Sequence, residues 1–238
     1  MNQVNTPTIN FKAEPWKYTP KKFFKNQSPL GAFKENTSDL NKTLMGLGPS
    51  EDQFQAVSFG DFTTDKIAHK TLEPDAFKSY FTNKKSTSEY LKRALLDSTL
   101  NDELSAFNTE SLNLSESLPT TLWINTNSLS PKFLFDLSEN TTSSICLFES
   151  DQSTGLKQEI NFIVKKGAKL NVGLDLNSTE NSYRQLSFIL EEDAEVNFFS
   201  FSSGQSDFKR LEVRAYQFDK DSRVTLNGLS LTKDDSVF

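Results

Sequence analysis

The sequence predicts a mainly β chain whose C-terminal half winds as a β-solenoid behind a smaller helical and loop region. Two observations carry that expectation. After Pro119 the apolar residues fall into short alternating runs bounded by Ser, Asn, Asp, Gly or Lys, the pattern of half-buried strands. The runs also repeat. Lys166-Gly167-Ala168-Lys169-Leu170-Asn171-Val172 matches Glu192-Asp193-Ala194-Glu195-Val196-Asn197-Phe198 and Lys220-Asp221-Ser222-Arg223-Val224-Thr225-Leu226. Each copy has a polar two-residue turn, a small residue, a charge, and then apolar–polar–apolar. A weaker copy runs from Phe133 through Glu139-Asn140 to Leu147. Aligned on Ile145, Leu170, Val196 and Val224, the copies are spaced 25, 26 and 28 residues apart. Two short strands per copy at that period point to stacked coils. The competing arrangement is a sandwich of antiparallel hairpins.

The elements follow in order. Residues 1–50 are punctuated by Pro7, Pro15, Pro20, Pro29, Gly31, Gly46, Gly48 and Pro49, which argues for extended segments and short turns. Phe23, Phe24, Phe33, Leu40, Leu44 and Leu47 are anchors for docking this arm. Residues 53–70 lack clean periodicity and read as loop with a short strand. Phe77, Tyr80 and Phe81 fall at helical spacing, and Ser88 caps a segment whose Leu91, Leu95 and Leu96 form one stripe. A short helix is expected over 102–107. The strands that follow have inward pairs or triplets. These are Leu122/Ile124, Phe133/Phe135, Ile145/Leu147, Ile160/Phe162/Val164, Leu170 to Leu176, Leu186/Phe188/Leu190, Val196/Phe198, Leu211/Val213/Ala215 and Val224/Leu226. The division is therefore 1–110, helical and loop, and 111–238, the β-coil.

Composition narrows the chemistry. Only 35% of the 238 residues are apolar, but 21 are Phe, and each buried ring removes about 150–250 Å² from water. With one Cys (Cys146) and one His (His69), the chain cannot build a disulfide framework, a conventional zinc finger or an all-cysteine iron–sulfur site alone. As a metal ligand His69 would need carboxylates or Cys146 nearby, which the spacing does not offer. It reads as a solvated or satisfied structural imidazole. Cys146 lies opposite in face to Ile145 and Leu147, either an outward thiol or, in an inverted register, a small buried hydrophobe. Gly46-Leu47-Gly48-Pro49-Ser50 lacks the Lys of a phosphate loop. Adjacent acidic pairs such as Glu191-Glu192 point to opposite faces of a strand and read as solubility charges. No catalytic, cofactor-binding or metal-binding residue is expected, and no enzymatic activity.

Net charge is −6, unevenly spread. Residues 1–34 carry six Lys against Glu14 alone, a net of +5, leaving −11 on the rest. Such an arm either contacts its own acidic body or an acidic partner or nucleic acid. Its lack of Arg favours the first, and no nucleic-acid partner is expected. No apolar run approaches the ~20 residues of a membrane span, and Met1 to Pro15 shows no secretory signal. No membrane partner and a cytoplasmic location are the expectations.

Glu14-Pro15-Trp16-Lys17-Tyr18-Thr19 resembles the Trp-(Lys/Arg)-Tyr-Thr signature near the N-terminus of SufD-like scaffold proteins of the SUF iron–sulfur cluster assembly system. The stretch from Ile160 through Lys166-Gly167-Ala168-Lys169-Leu170 to Asp193-Ala194-Glu195-Val196 is similar to the core of the SufB/SufD family. There strand, Gly-Ala-type turn and strand recur along a right-handed β-helix. Phe107-Asn108 sits where that family ends its helical N-terminal part. The likeness spans roughly residues 12–25 and 105–235.

The resemblance implies a non-enzymatic scaffold subunit in a complex with a SufB-like scaffold and a SufC-like ATPase, the cluster being handled by the complex and not by this chain alone. Trp16, Lys17, Tyr18 and Thr19 would be structural, as packing anchors of the arm. Family members run beyond the point where this chain stops, adding the last β-helix turns and a C-terminal helical part, a region that carries the SufC contact, much of the SufB contact and the polar residues implicated in cluster formation. The chain is therefore expected to be a SufD-like protein truncated at its C-terminus, with its SufC contact in doubt. The alternative is a β-solenoid that binds or acts on polysaccharide, which predicts a secretory signal and a groove lined with aromatic residues and clustered Asp or Arg.

Overall fold

The computed structural model describes residues 44–46, 55–57, 67–72, 104, 107–118, 121–126, 129–148, 156–176, 182–204, 209–217 and 219–232. Their strands, in order, are β1 (Leu44–Gly46), β2 (Gln55–Val57), β3 (Ile67–Leu72), β4 (Thr109–Leu114), β5 (Leu122–Asn125), β6 (Lys132–Leu137) and β7 (Thr142–Phe148). Then come β8 (Leu156–Val164), β9 (Lys169–Leu176), β10 (Ser182–Leu190), β11 (Glu195–Gly204), β12 (Lys209–Gln217) and β13 (Arg223–Thr232).

From β4 onward the chain alternates between two sheets. One has the order β13-β11-β9-β7-β5-β1-β2, the other β12-β10-β8-β6-β4-β3. Every pairing among β4 to β13 is parallel. This is a β-solenoid, with each strand stacked on the equivalent strand of the next coil. The expected strands after Pro119 are all present, and their alternation faces the space between the two sheets.

That interior is packed with Leu, Ile and Val, and a run of Phe passes through it. Phe135, Phe162 and Phe188 occupy one row of the register. Their centroids are 4.8 and 5.0 Å apart and their planes nearly stacked. Phe133 joins at one end at 4.9 Å and Phe198 reaches in from the facing sheet at 5.5 Å. The next residue of the row, Ala215, is exposed.

The turns form a second ladder. Asn140, Gly167, Asp193 and Asp221 all have positive φ, between 56° and 66°, a conformation that Gly, Asn and Asp adopt more readily than other residues. The N–H of Asn140 donates to Lys166 O on the next coil, that of Gly167 to Glu192 O and that of Asp193 to Lys220 O. Gly167 is also required by space, because a Cβ there would overlap the Asn140 carboxamide. Ala168 and Ala194 follow these turns inward and are fully buried.

This ladder corrects the spacing read from the alternation. Leu170 pairs with Ser143, and Ile145 with Val172, so that step is 27 residues, not 25. A slip of two residues keeps every side chain on its own face, so alternation alone could not detect it. The turn residues 140, 167, 193 and 221 fix it.

At the N-terminal end the strands reverse. β3 is antiparallel to β4, and β1 lies antiparallel between β5 and β2. Residues 53–70, expected as loop with a short strand, thus contribute β2 and the start of β3. The 110/111 division falls inside β4. The helical segments expected around Phe77–Phe81 and after the Ser88 cap lie outside the described residues; of 102–107, Leu104 is helical and buried. No described helix is long and apolar enough to cross a membrane.

Candidate functional site

Three surfaces of the solenoid carry chemistry. The first is its last coil. Among the described residues, β12 and β13 are each paired on one side only. The inward rows that are sealed elsewhere open here. Phe198 is 4% exposed, while its register partner Leu226 is 47% exposed. Leu229 and Leu231 on the same strand are about half exposed, and Leu211 and Val213 on β12 are partly buried. An edge strand with free N–H and C=O groups is a template for another strand.

The outer face of the β12-containing sheet is the second surface, and it departs from expectation. Alternation assigned its polar residues to solvent, yet Lys132, Glu159, Asn161, Gln185 and Ser187 are all buried. Polar groups survive burial only when paired. Glu212 is the centre of one cluster. It accepts a hydrogen bond from Tyr183 Oη at 3.0 Å and from Arg214 Nε at 2.6 Å, and Arg210 lies over the Tyr183 ring at 5.6 Å. Burial and the Glu212 charge push the Tyr183 phenol well above its usual range.

Glu159 lies two strands from Glu212, across β10, and is 2% exposed. Its Oε1 accepts from Asn161 Nδ2 at 3.0 Å, while Oε2 has no hydrogen-bond partner. Burial raises its pKa above the ordinary 4.5, against the Asn161 hydrogen bond and the charges of Lys132 and Arg214. The folded carboxyl therefore holds its proton more tightly than the unfolded one. The carboxyl costs nothing below the unfolded pKa; the destabilisation builds as pH rises from that value to the raised folded one and stays constant above it. Glu159→Gln is expected to stabilise the fold at pH 8 by about 1–3 kcal/mol, the gain vanishing towards pH 4. Urea unfolding of both proteins across that range checks this, and a gain independent of pH would contradict it.

The third surface is the outer face of the other sheet, which stays open. Across it the register lines up Ser144, Asn171, Asn197 and Thr225. Asn197 Nδ2 donates to Asn171 Oδ1 at 3.2 Å, and Asn171 Nδ2 to Ser144 Oγ at 3.3 Å. The neighbouring row is Trp123, Cys146, Gly173, Phe199 and Asn227. All of these except Trp123 line a shallow depression of about 520 Å³. Cys146 takes the outward option of its two expected positions, half-buried. Burial, then the Asp175 charge, pushes its thiol up to about 11, which keeps it protonated and a poor nucleophile.

Inside the coil a polar clamp interrupts the apolar rows. Buried Arg184 donates from Nε to Gln158 Oε1 and from a terminal nitrogen to Thr126 Oγ1, both at 3.2 Å. Gln158 Nε2 in turn donates to Thr126 O at 2.5 Å. Sequence reading missed this clamp and the outward groove alike. The signal for the groove was present in the repeat, since 144, 171, 197 and 225 are its outward positions once the register is right.

Trp16, Lys17, Tyr18 and Thr19 lie outside the described residues. The His69 backbone pairs with Leu112 in β3. Among the described residues no group of three or more His, Cys, Asp or Glu is placed to hold a metal ion. No family model, no curated protein and no solved structure matches the chain.

Proposed function

We propose that the chain is a SufD-like scaffold subunit, without catalytic residues of its own, in an iron–sulfur cluster assembly complex of the SufB–SufC–SufD type. The observation that carries the reading is the asymmetry of the solenoid. One end is closed by the antiparallel strands β1, β2 and β3. At the other, β12 and β13 are each paired on one side only among the described residues, and Leu226, Leu229 and Leu231 are half exposed. Such an end suits a subunit that works by joining another β-rich subunit. The repeating strand–turn–strand unit around Lys166-Gly167-Ala168 is also one of the pieces on which the family resemblance rests. In this reading the cluster is cargo of the complex, and a SufB-like scaffold is the partner at the open end.

Co-purification tests it. The chain is expected to retain a SufB-like protein from the same cell. Failure to retain the SufB-like protein would overturn the reading.

A second reading, a solenoid that binds polysaccharide, is favoured by one observation: the open groove at Asn171 and Asn197, with the exposed ring of Phe199 in its lining.

A further inference from the structure

Three features make the open sheet face more than an ordinary strand surface. Its floor is uncharged. The ladder from Ser144 through Asn171 and Asn197 to Thr225 contains only hydroxyls and carboxamides. The charges beside it are Lys169 and Glu195, paired with each other at 3.5 Å, Arg223 next to Glu195 in the register, and Asp175 two residues beyond Gly173. The ladder is also held in place with capacity to spare. A carboxamide has two donor hydrogens and two acceptor lone pairs, and one donor each of Asn171 and Asn197 is used within the ladder.

Gly173 is the third feature. A Cβ there would stand 3.5 Å from Cys146 Sγ, an ordinary contact, so packing does not demand glycine. Its effect is to leave the row open between Cys146 and Phe199. Phe199 is 50% exposed, and its neighbours on either side in the register are Gly173 and Asn227. Trp123 stands three strands away at the other end of that row, about 14 Å at the usual strand spacing.

We infer that this face binds a neutral oligosaccharide laid along the solenoid axis, with its sugar hydroxyls on the Asn171–Asn197 ladder and sugar C–H faces against Phe199 and Trp123. The chemistry matches point by point. Sugar hydroxyls donate and accept, as carboxamides do. The apolar faces of a pyranose pack on aromatic rings, whose bulk supplies most of the contact area. An extended glycan advances by a length comparable to the spacing of adjacent strands, so successive sugars meet successive rungs. A nucleic acid would instead need a surplus of Lys and Arg to meet its phosphates, which this face lacks.

The inference rests on the polysaccharide reading and makes it specific as to site and ligand charge. The test is isothermal titration of the full chain with hexasaccharides of β-linked glucose, β-linked N-acetylglucosamine and α-linked glucose. A single-stranded oligonucleotide and an acidic polygalacturonate serve as comparisons. At least one neutral hexasaccharide is expected to bind, with little dependence on salt. Phe199→Ala and Asn171→Ala should each weaken it at least tenfold, and Glu139→Gln, at a turn outside the groove, should not. Thermal midpoints of the variants, expected within a few degrees of the parent, separate loss of binding from loss of fold.

Binding undiminished by Phe199→Ala and Asn171→Ala, or confined to the polygalacturonate, would overturn the inference while leaving the polysaccharide reading standing. Salt-dependent binding of the oligonucleotide alone, or no binding of any glycan, would overturn both.

Discussion

Replacing Phe162 by Ala is expected to cost about 3–5 kcal/mol of stability, the largest effect of any single truncation considered for this chain. Phe162 is fully buried, with Phe135 and Phe188 stacked on either side at 4.8 and 5.0 Å. In a coil this narrow the cavity cannot be closed by collapse, because each neighbouring ring is held by the parallel register of its own strand. The cavity term therefore adds nearly in full to the lost transfer free energy. Solenoid stability is roughly a sum of coil and neighbour terms, so the damage should centre on coils carrying β6, β8 and β10. Urea unfolding measures the total. Phe162→Leu, which retains most of the volume, should be markedly milder. If both variants cost under 1 kcal/mol, the Phe stack does not hold the core together.

Lysine at both Leu226 and Leu229 is expected to weaken association with a SufB-like partner tenfold or more while leaving the unfolding midpoint nearly unchanged. Both leucines are about half exposed in the chain alone, so little native packing is lost. Covering the remaining apolar surface of two leucines is worth about 1–3 kcal/mol, and each 1.4 kcal/mol is a factor of ten. A docked strand would also strip water from the introduced ammonium groups, adding to the penalty. Sedimentation of the mixed proteins reads the change. Undiminished association of the double variant would move the interface away from β13.

Period-2 alternation located the inward residues because a strand shows its neighbours to opposite sides. Leu122, Phe133, Ile145, Phe162, Val172, Phe188 and Val196 could therefore be assigned inward from sequence, and all are buried. Register was harder, since pairing Leu170 with Ile145 or with Ser143 satisfies the same pattern. It is settled by the positive-φ turns at Asn140, Gly167, Asp193 and Asp221. Burial of Glu159, Asn161, Gln185 and Ser187 was not legible at all. A polar residue on an outward position looks the same in sequence whether its face meets water or protein. The clamp of Arg184, Gln158 and Thr126 was hidden for the converse reason, because polar residues at inward positions read as breaks in the pattern. The groove depends on residues 26 and 27 positions apart in sequence, a relation visible only once the coils are in register.

Backbone hydrogen exchange of the last coil, with the chain alone and with a SufB-like protein, tests the central claim most directly. A strand paired on one side leaves alternate amides open to solvent. In the free chain, alternate amides of Lys209–Gln217 and Arg223–Thr232 should exchange rapidly, while those of β8 and β10 are protected. Adding the partner should slow the open amides of the last coil at least tenfold, with no comparable change at β3 and β4. A complex that forms while those amides stay unprotected, or that protects the β3 end instead, would contradict the account.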